Sequence, residues 1–121
     1  MKHLAEDDIK IDDITIYLKL FQLHKSFLLL ISDQSNMGIG NVTLGSPPMI
    51  EGIKPPTLSY NLFGMNTKLL STIIAERASN ILKAPVLLLL FLKGKKKDEE
   101  IIKPLMNFLN KILEEALKKL E

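Results

Sequence analysis

Cysteine and tryptophan are absent from this 121-residue chain, and histidine occurs only twice. Without cysteine there are no disulfides, thiolate metal sites or cysteine nucleophiles, and the composition fits a reducing compartment. Neither sign of charge dominates: 16 Lys and Arg stand against 14 Asp and Glu, a formal net charge of +2. Nucleic-acid binding needs a concentrated basic face, and here the cations are spread among nearly as many acids. No apolar run is long enough for a membrane helix. The strongest, Ala84 to Leu92, falls far short of the roughly 20 residues required. Met1 to Asp8 is polar and acidic, with no stretch fit for a signal peptide. A cytoplasmic location follows as the expectation, with the nucleus open as a second one.

What is present is ordinary globular material, 46% hydrophobic and 25% charged, in a chain of one-domain length. The reading is a flexible N-terminus over 1–8 and a single domain over 9–121. From Ile9 to Phe21 apolar residues alternate, the mark of a strand with one buried face. The phase slips at Asp12–Asp13, where a bulge or a turn would restore it, and a bulge or a frayed edge is the favoured reading. His24 and Lys25 are hairpin candidates. Ser26 to Ile31 is a continuous apolar run, suited to a strand buried on both sides.

Ser32 to Gly40 has turn chemistry, and Asn41 to Leu44 reads as a short strand. Gly45 to Pro56 holds four of the six prolines, so it reads as an irregular loop. Thr57 to Phe63 alternates again. Asn66 or Thr67 can cap a helix whose apolar face runs from Leu69 to Leu82, and Pro85 stops it. Pro85 to Leu92 then reads as the central strand. Asp98, Glu99 and Glu100 suit the positive end of a last helix reaching Leu120, in which Pro104 either bends the axis or marks the true start. The order β-β-β-β-α-β-α predicts an α+β domain, an antiparallel sheet packed with two helices.

Candidate chemistry is sparse. Gly38-Ile39-Gly40 lies between two strands, where a dinucleotide loop needs a strand and a helix. His24 and Asp33 bracket one strand, which sets them about 30 Å apart when extended, too far for a triad. Asp7, Asp8, Asp12 and Asp13 lack the glycine and closing glutamate of a calcium loop and read as a solvated edge. Lys95 to Lys97 reads as a solvated turn. No catalytic, metal or cofactor residues are expected, and the chain reads as a binding module rather than an enzyme. The last helix has an apolar face wider than one sheet contact demands, with bulk at Met106 and Phe108. Core packing accounts for that face, with a share in a subunit interface as the other reading.

The stretch from Ser26 to Leu92 resembles the small proteasome assembly chaperones of the third-and-fourth-member type, nearest the fourth. The similarity rests on the apolar strand Phe27 to Ile31, the segment Asn41-Val42-Thr43-Leu44, and the ending Asn61-Leu62-Phe63-Gly64. It continues in Ile74-Ala75-Glu76-Arg77, like the family's aliphatic-Ala-x-Arg, and in Val86 to Leu92. The Pro-rich segment Ser46 to Pro56 departs from the pattern.

The resemblance implies a non-enzymatic protein that dimerises, with itself or with a related small chaperone. Such a dimer binds α-type 20S proteasome subunits and promotes α-ring assembly, without nucleic acid, membrane or cofactor. Glu76, Arg77, Met106 and Phe108 are the partner-binding candidates. Arg77 is expected to lay its stem along the apolar helix edge with its head exposed. The competing reading is a dimerising scaffold of longin or roadblock type in trafficking or GTPase regulation, which would show a βαββ order.

Overall fold

A computed structural model describes residues 1–48, 53, 57–61, 68–94 and 97–120. The elements in chain order are β1 (Lys2–Ile11), β2 (Ile14–Leu23), β3 (Ser26–Ser32), β4 (Asn41–Gly45), β5 (Leu58–Asn61), α1 (Lys68–Leu82), β6 (Val86–Phe91) and α2 (Asp98–Leu120). The expected α+β class is present: a six-stranded sheet ordered β1-β2-β3-β6-β4-β5, with two helices.

Two features differ from the sequence reading. Residues 2–11 form a strand of the sheet, where the sequence predicts a flexible N-terminus over 1–8. The reason is local: Asp12 adopts a φ of 54°, so the acidic pair makes a tight turn, not the favoured bulge or frayed edge, and folds β1 back along β2. A polar segment is accepted there because β1 is an edge, and Leu4 supplies its buried anchor. The second difference is that β3 and β6 pair in parallel, whereas every other pair is antiparallel. The connection from β3 to β6 runs through β4, β5 and α1, long enough for a parallel return.

Other expectations hold. His24–Lys25 forms the β2–β3 hairpin, with Lys25 at a φ of 53°. The apolar run after Pro85 is the central strand β6, flanked by β3 and β4. Helix α1 ends at Leu82, and Lys83 takes the left-handed conformation (φ 54°) common just past a helix end. Helix α2 begins at Asp98, with Pro104 inside it. The Lys97 amide donates to Glu100 Oε2 at 3.2 Å, half of a capping box. The Asn66 and Thr67 caps, Lys95–Lys96, and most of the Pro-rich segment lie outside the described residues.

Register places the buried side chains on one face of the sheet. Leu18, Ile31, Leu90 and Asn41 form one cross-strand row, and Leu20, Leu29, Leu88 and Thr43 form the next. All eight are 0% exposed. Helix α1 covers β4, β5 and β6, and α2 packs on β1 and α1. Helix α1 offers Leu70, Ile74, Ala78 and Leu82; α2 offers Ile101, Leu105, Leu109, Ile112, Leu113 and Ala116. Both series follow the helical repeat that keeps one stripe on the core.

Gly45 lets α1 approach closely, since a Cβ there would stand 2.5 Å from the Ala75 carbonyl oxygen. At the far ends, Lys119 Nζ donates to the Leu4 carbonyl at 2.7 Å. Asp33 accepts the Lys93 and Gly94 amides at 3.0 and 2.7 Å, fastening the exit of β6 to the end of β3.

Candidate interaction surface

Two helices cover one face of a six-stranded sheet, and the other face carries three cross-strand rows. The first runs His3, Phe21, Leu28, Leu87, Leu44, Leu58. The second runs Glu6, Lys19, Leu30, Leu89, Val42, Tyr60. The third is Asp8, Tyr17, Ser32 and Phe91. Over that third row the β3–β4 loop folds down. The Gln34 amide donates to the buried Ser32 Oγ at 2.9 Å, and Gly38 sits so close to the Phe91 ring that a Cβ would lie 2.8 Å from it. The glycine of Gly38-Ile39-Gly40 therefore serves close packing, and no phosphate cradle forms.

Polarity changes sharply across this face. The β1–β2 side carries Glu6, Asp8, Lys10 and Lys19, and His3 packs edge-on against Phe21 with ring centroids 5.3 Å apart. From β3 to β5 the first two rows hold only apolar side chains and Tyr60. Leu58 is 51% exposed and Tyr60 64%. A cleft of about 370 Å³ marks the charged corner, lined by Glu6, Asp7, Asp8, Tyr17, Leu18, Lys19, Ser35 and Met37. Its lining combines carboxylates, one ammonium and a phenol without a histidine or a paired nucleophile.

Beneath β4 and β5 runs a buried polar seam. Asn41 Nδ2 donates to Asn61 Oδ1 at 2.6 Å and to Ser59 Oγ at 3.1 Å, while Thr43 Oγ1 donates to Asn41 Oδ1. Thr43 and Ser59 hydroxyls lie 2.8 Å apart, and Ser59 reaches Ser71 of α1 at 3.4 Å. Each buried group thus finds a partner, as desolvation demands. The edge strand β5 is held largely by this seam and by its ladder to β4.

The four partner-binding candidates all sit in the helix layer. Glu76 Oε1 accepts from the Thr57 hydroxyl at 3.0 Å, tying α1 to the start of β5. Arg77 is exposed and donates to Asn110 Oδ1 at 3.2 Å, so its head bridges α1 to α2. Phe108 is 8% exposed, and Met106 is half-buried against the same core. The structure brings Arg77 next to α2 and brings none of the four to the open sheet face. Leu28, Leu30, Leu87 and Leu89, which the sequence reading did not single out, lie on that face. Their signal was visible: Phe27 to Ile31 and Val86 to Phe91 are apolar at every position, yet two helices cannot cover both faces of six strands.

His24 lies in the hairpin turn and Asp33 holds backbone amides, so they form no catalytic pair. Among the described residues no group of three His, Cys, Asp or Glu side chains could hold a metal ion, and no helix is long and apolar enough to cross a membrane.

The fold and this surface define a class: a small sheet-and-two-helix module in which, among the described residues, the sheet face opposite the helices carries partly exposed apolar side chains from β3 to β5. No family model matches the sequence, and no curated protein does at a significant level. One solved structure with the same fold is the crystal structure of a novel chaperone complex for yeast 20S proteasome assembly. Its chain is 11% identical, with a TM-score of 0.60, and the match covers 99% of this chain and 98% of that one.

Proposed function

We propose that this chain is a non-enzymatic proteasome assembly chaperone that works as a dimer, holds α-type 20S subunits and promotes closure of the α-ring. The observation that carries the reading is the end-to-end fold match to a chain of the yeast assembly-chaperone complex. The Asn41–Leu44 and Ile74–Arg77 segments fall on β4 and α1, as the resemblance to the small assembly chaperones implied. The surface supports it as well. Chaperoning of this kind needs shape and apolar contact, and the apolar rows from β3 to β5 offer both.

Binding has to hold an assembly intermediate and still release once the ring closes. Interfaces of about 800 Å² per partner give that range of strengths. Among the described residues five strands precede α1 and no βαββ start occurs, so topology does not favour the longin or roadblock alternative.

The deciding experiment is capture of α-type subunits from a native extract by the tagged chain, with the bound proteins identified by mass spectrometry. Recovery of α-ring intermediates without mature 20S particles is the expected result. Recovery of no proteasome subunit, from an extract in which α-ring intermediates are detected independently, overturns the proposal.

A further inference from the structure

Asn41-Val42-Thr43 is the one Asn-x-Ser/Thr triplet in the sequence. That pattern is the acceptor for N-linked glycosylation, and in a secreted protein it marks a surface loop. Here it lies inside β4, an interior strand between β6 and β5. Asn41 and Thr43 are both 0% exposed, and Asn41 stands in the core-side row of Leu18, Ile31 and Leu90.

The acceptor atom is also fully used. An Asn side-chain amide has two hydrogens. Those on Asn41 Nδ2 go to Asn61 Oδ1 at 2.6 Å and to Ser59 Oγ at 3.1 Å. The hydroxyl of the triplet is taken as well, since Thr43 Oγ1 donates to Asn41 Oδ1. Glycosyl transfer breaks the C1–O bond of a lipid-linked oligosaccharide diphosphate and forms a bond from Nδ2 to C1. The lipid diphosphate leaves, and one amide proton is lost.

A single hydrogen then remains on Nδ2, so Asn61 or Ser59 loses its donor inside the seam. The steric cost is larger. Nδ2 points at side chains of β5, and Ser59 leads on to Ser71 of α1 at 3.4 Å. A sugar ring on Nδ2 must therefore displace β5 or lift α1, because close-packed interiors hold no space of that size.

We propose that a glycan on Asn41 and this fold exclude one another, so that the chain matures only in a compartment where no oligosaccharide transfer takes place. Order of events makes the exclusion effective. Transfer acts on the extended nascent chain, whereas the partners that hide Asn41 lie 18 and 20 residues further along it. The acceptor is therefore open to modification before the seam can form. The exclusion stands on the seam alone and holds whether or not the chain acts on proteasome subunits.

The test sends the full chain into the secretory lumen of a eukaryotic cell behind a cleavable signal peptide, beside the same chain made in the cytosol. A mass shift removed by a glycosidase scores transfer, and limited proteolysis scores folding. The lumenal product is expected to be shifted and protease-sensitive, with the resistant fraction lowered at least about tenfold against the cytosolic one. Blocking synthesis of the lipid-linked donor changes no residue and is expected to restore the resistant fraction to within about twofold. Thr43→Val, first shown to fold in the cytosol, removes the acceptor pattern and should fold in the lumen without the inhibitor. A shifted chain that resists protease overturns the proposal. So does an unshifted wild type that folds in the lumen without inhibitor, or a product that stays sensitive when transfer is blocked.

Discussion

Gly45 shows how much a single position can carry. A methyl group there would meet the Ala75 carbonyl oxygen at 2.5 Å, backbone against backbone, so relief requires α1 to lift from β4. Gly45→Ala is therefore expected to destabilise the fold by about 1–3 kcal/mol, read as a lower urea midpoint. Asp33 is a second such position, because one carboxylate accepts both the Lys93 and Gly94 amides. The group is solvent-accessible, so Asp33→Ala is expected to cost about 1–2 kcal/mol rather than the full value of buried charge-assisted bonds.

Arg77 is the contrasting case. Its bond to Asn110 is exposed, and Arg77→Ala should change stability by less than about 1 kcal/mol. A loss of client capture with an unchanged melting temperature would assign Arg77 to binding; a lowered melting temperature with unchanged capture would assign it to the α1–α2 bridge.

At the start of α2, burial first, and the neighbouring Glu99 second, push the pKa of Asp98 up. A raised acid binds its proton more tightly when folded. Its contribution is therefore present below the unfolded carboxylate value and is lost as pH rises through the raised folded value. Asp98→Asn should abolish that slope in a pH series of unfolding midpoints.

Elements differ in what holds them. Strands β3 and β6 are central and have one face wholly in the core, whereas β5 has large side chains in solvent and a polar seam beneath. Hydrogen exchange should therefore open β5 well before β3 and β6. At the other edge β1 carries acids, and its register shifts between His3 and Ala5, devices that discourage chance strand pairing. Lys119 reaches from α2 to the Leu4 carbonyl. Lys119→Met should speed exchange in the first half of β1 and leave β3 and β6 unchanged.

On the dimeric reading proposed above, with the chain pairing with itself, whole-molecule stability should depend on concentration. A partner that binds only the folded chain adds stability by mass action, so the melting temperature of the wild type should rise as protein is added.

Much of the fold was legible from periodicity. The two helices, the hairpin at His24–Lys25, and the central place of PVLLLLF follow from where apolar residues recur and where Gly, Pro and polar pairs interrupt them. The first strand was not legible, because an edge strand anchored mainly by Leu4 has almost no apolar rhythm to detect. The surface was half legible: the unbroken runs disclosed apolarity on both faces of β3 and β6, but not which face would stay bare.

Local chemistry along the chain, then, determined element types, the turn positions and the absence of cysteine chemistry, since these depend on neighbours within a few residues. Only the tertiary structure decided the parallel union of β3 with β6, the gathering of both helices on one side, and the charge-free patch from β3 to β5. Those depend on which distant strands become neighbours, and pairing across the sheet is set by the packing of the whole core.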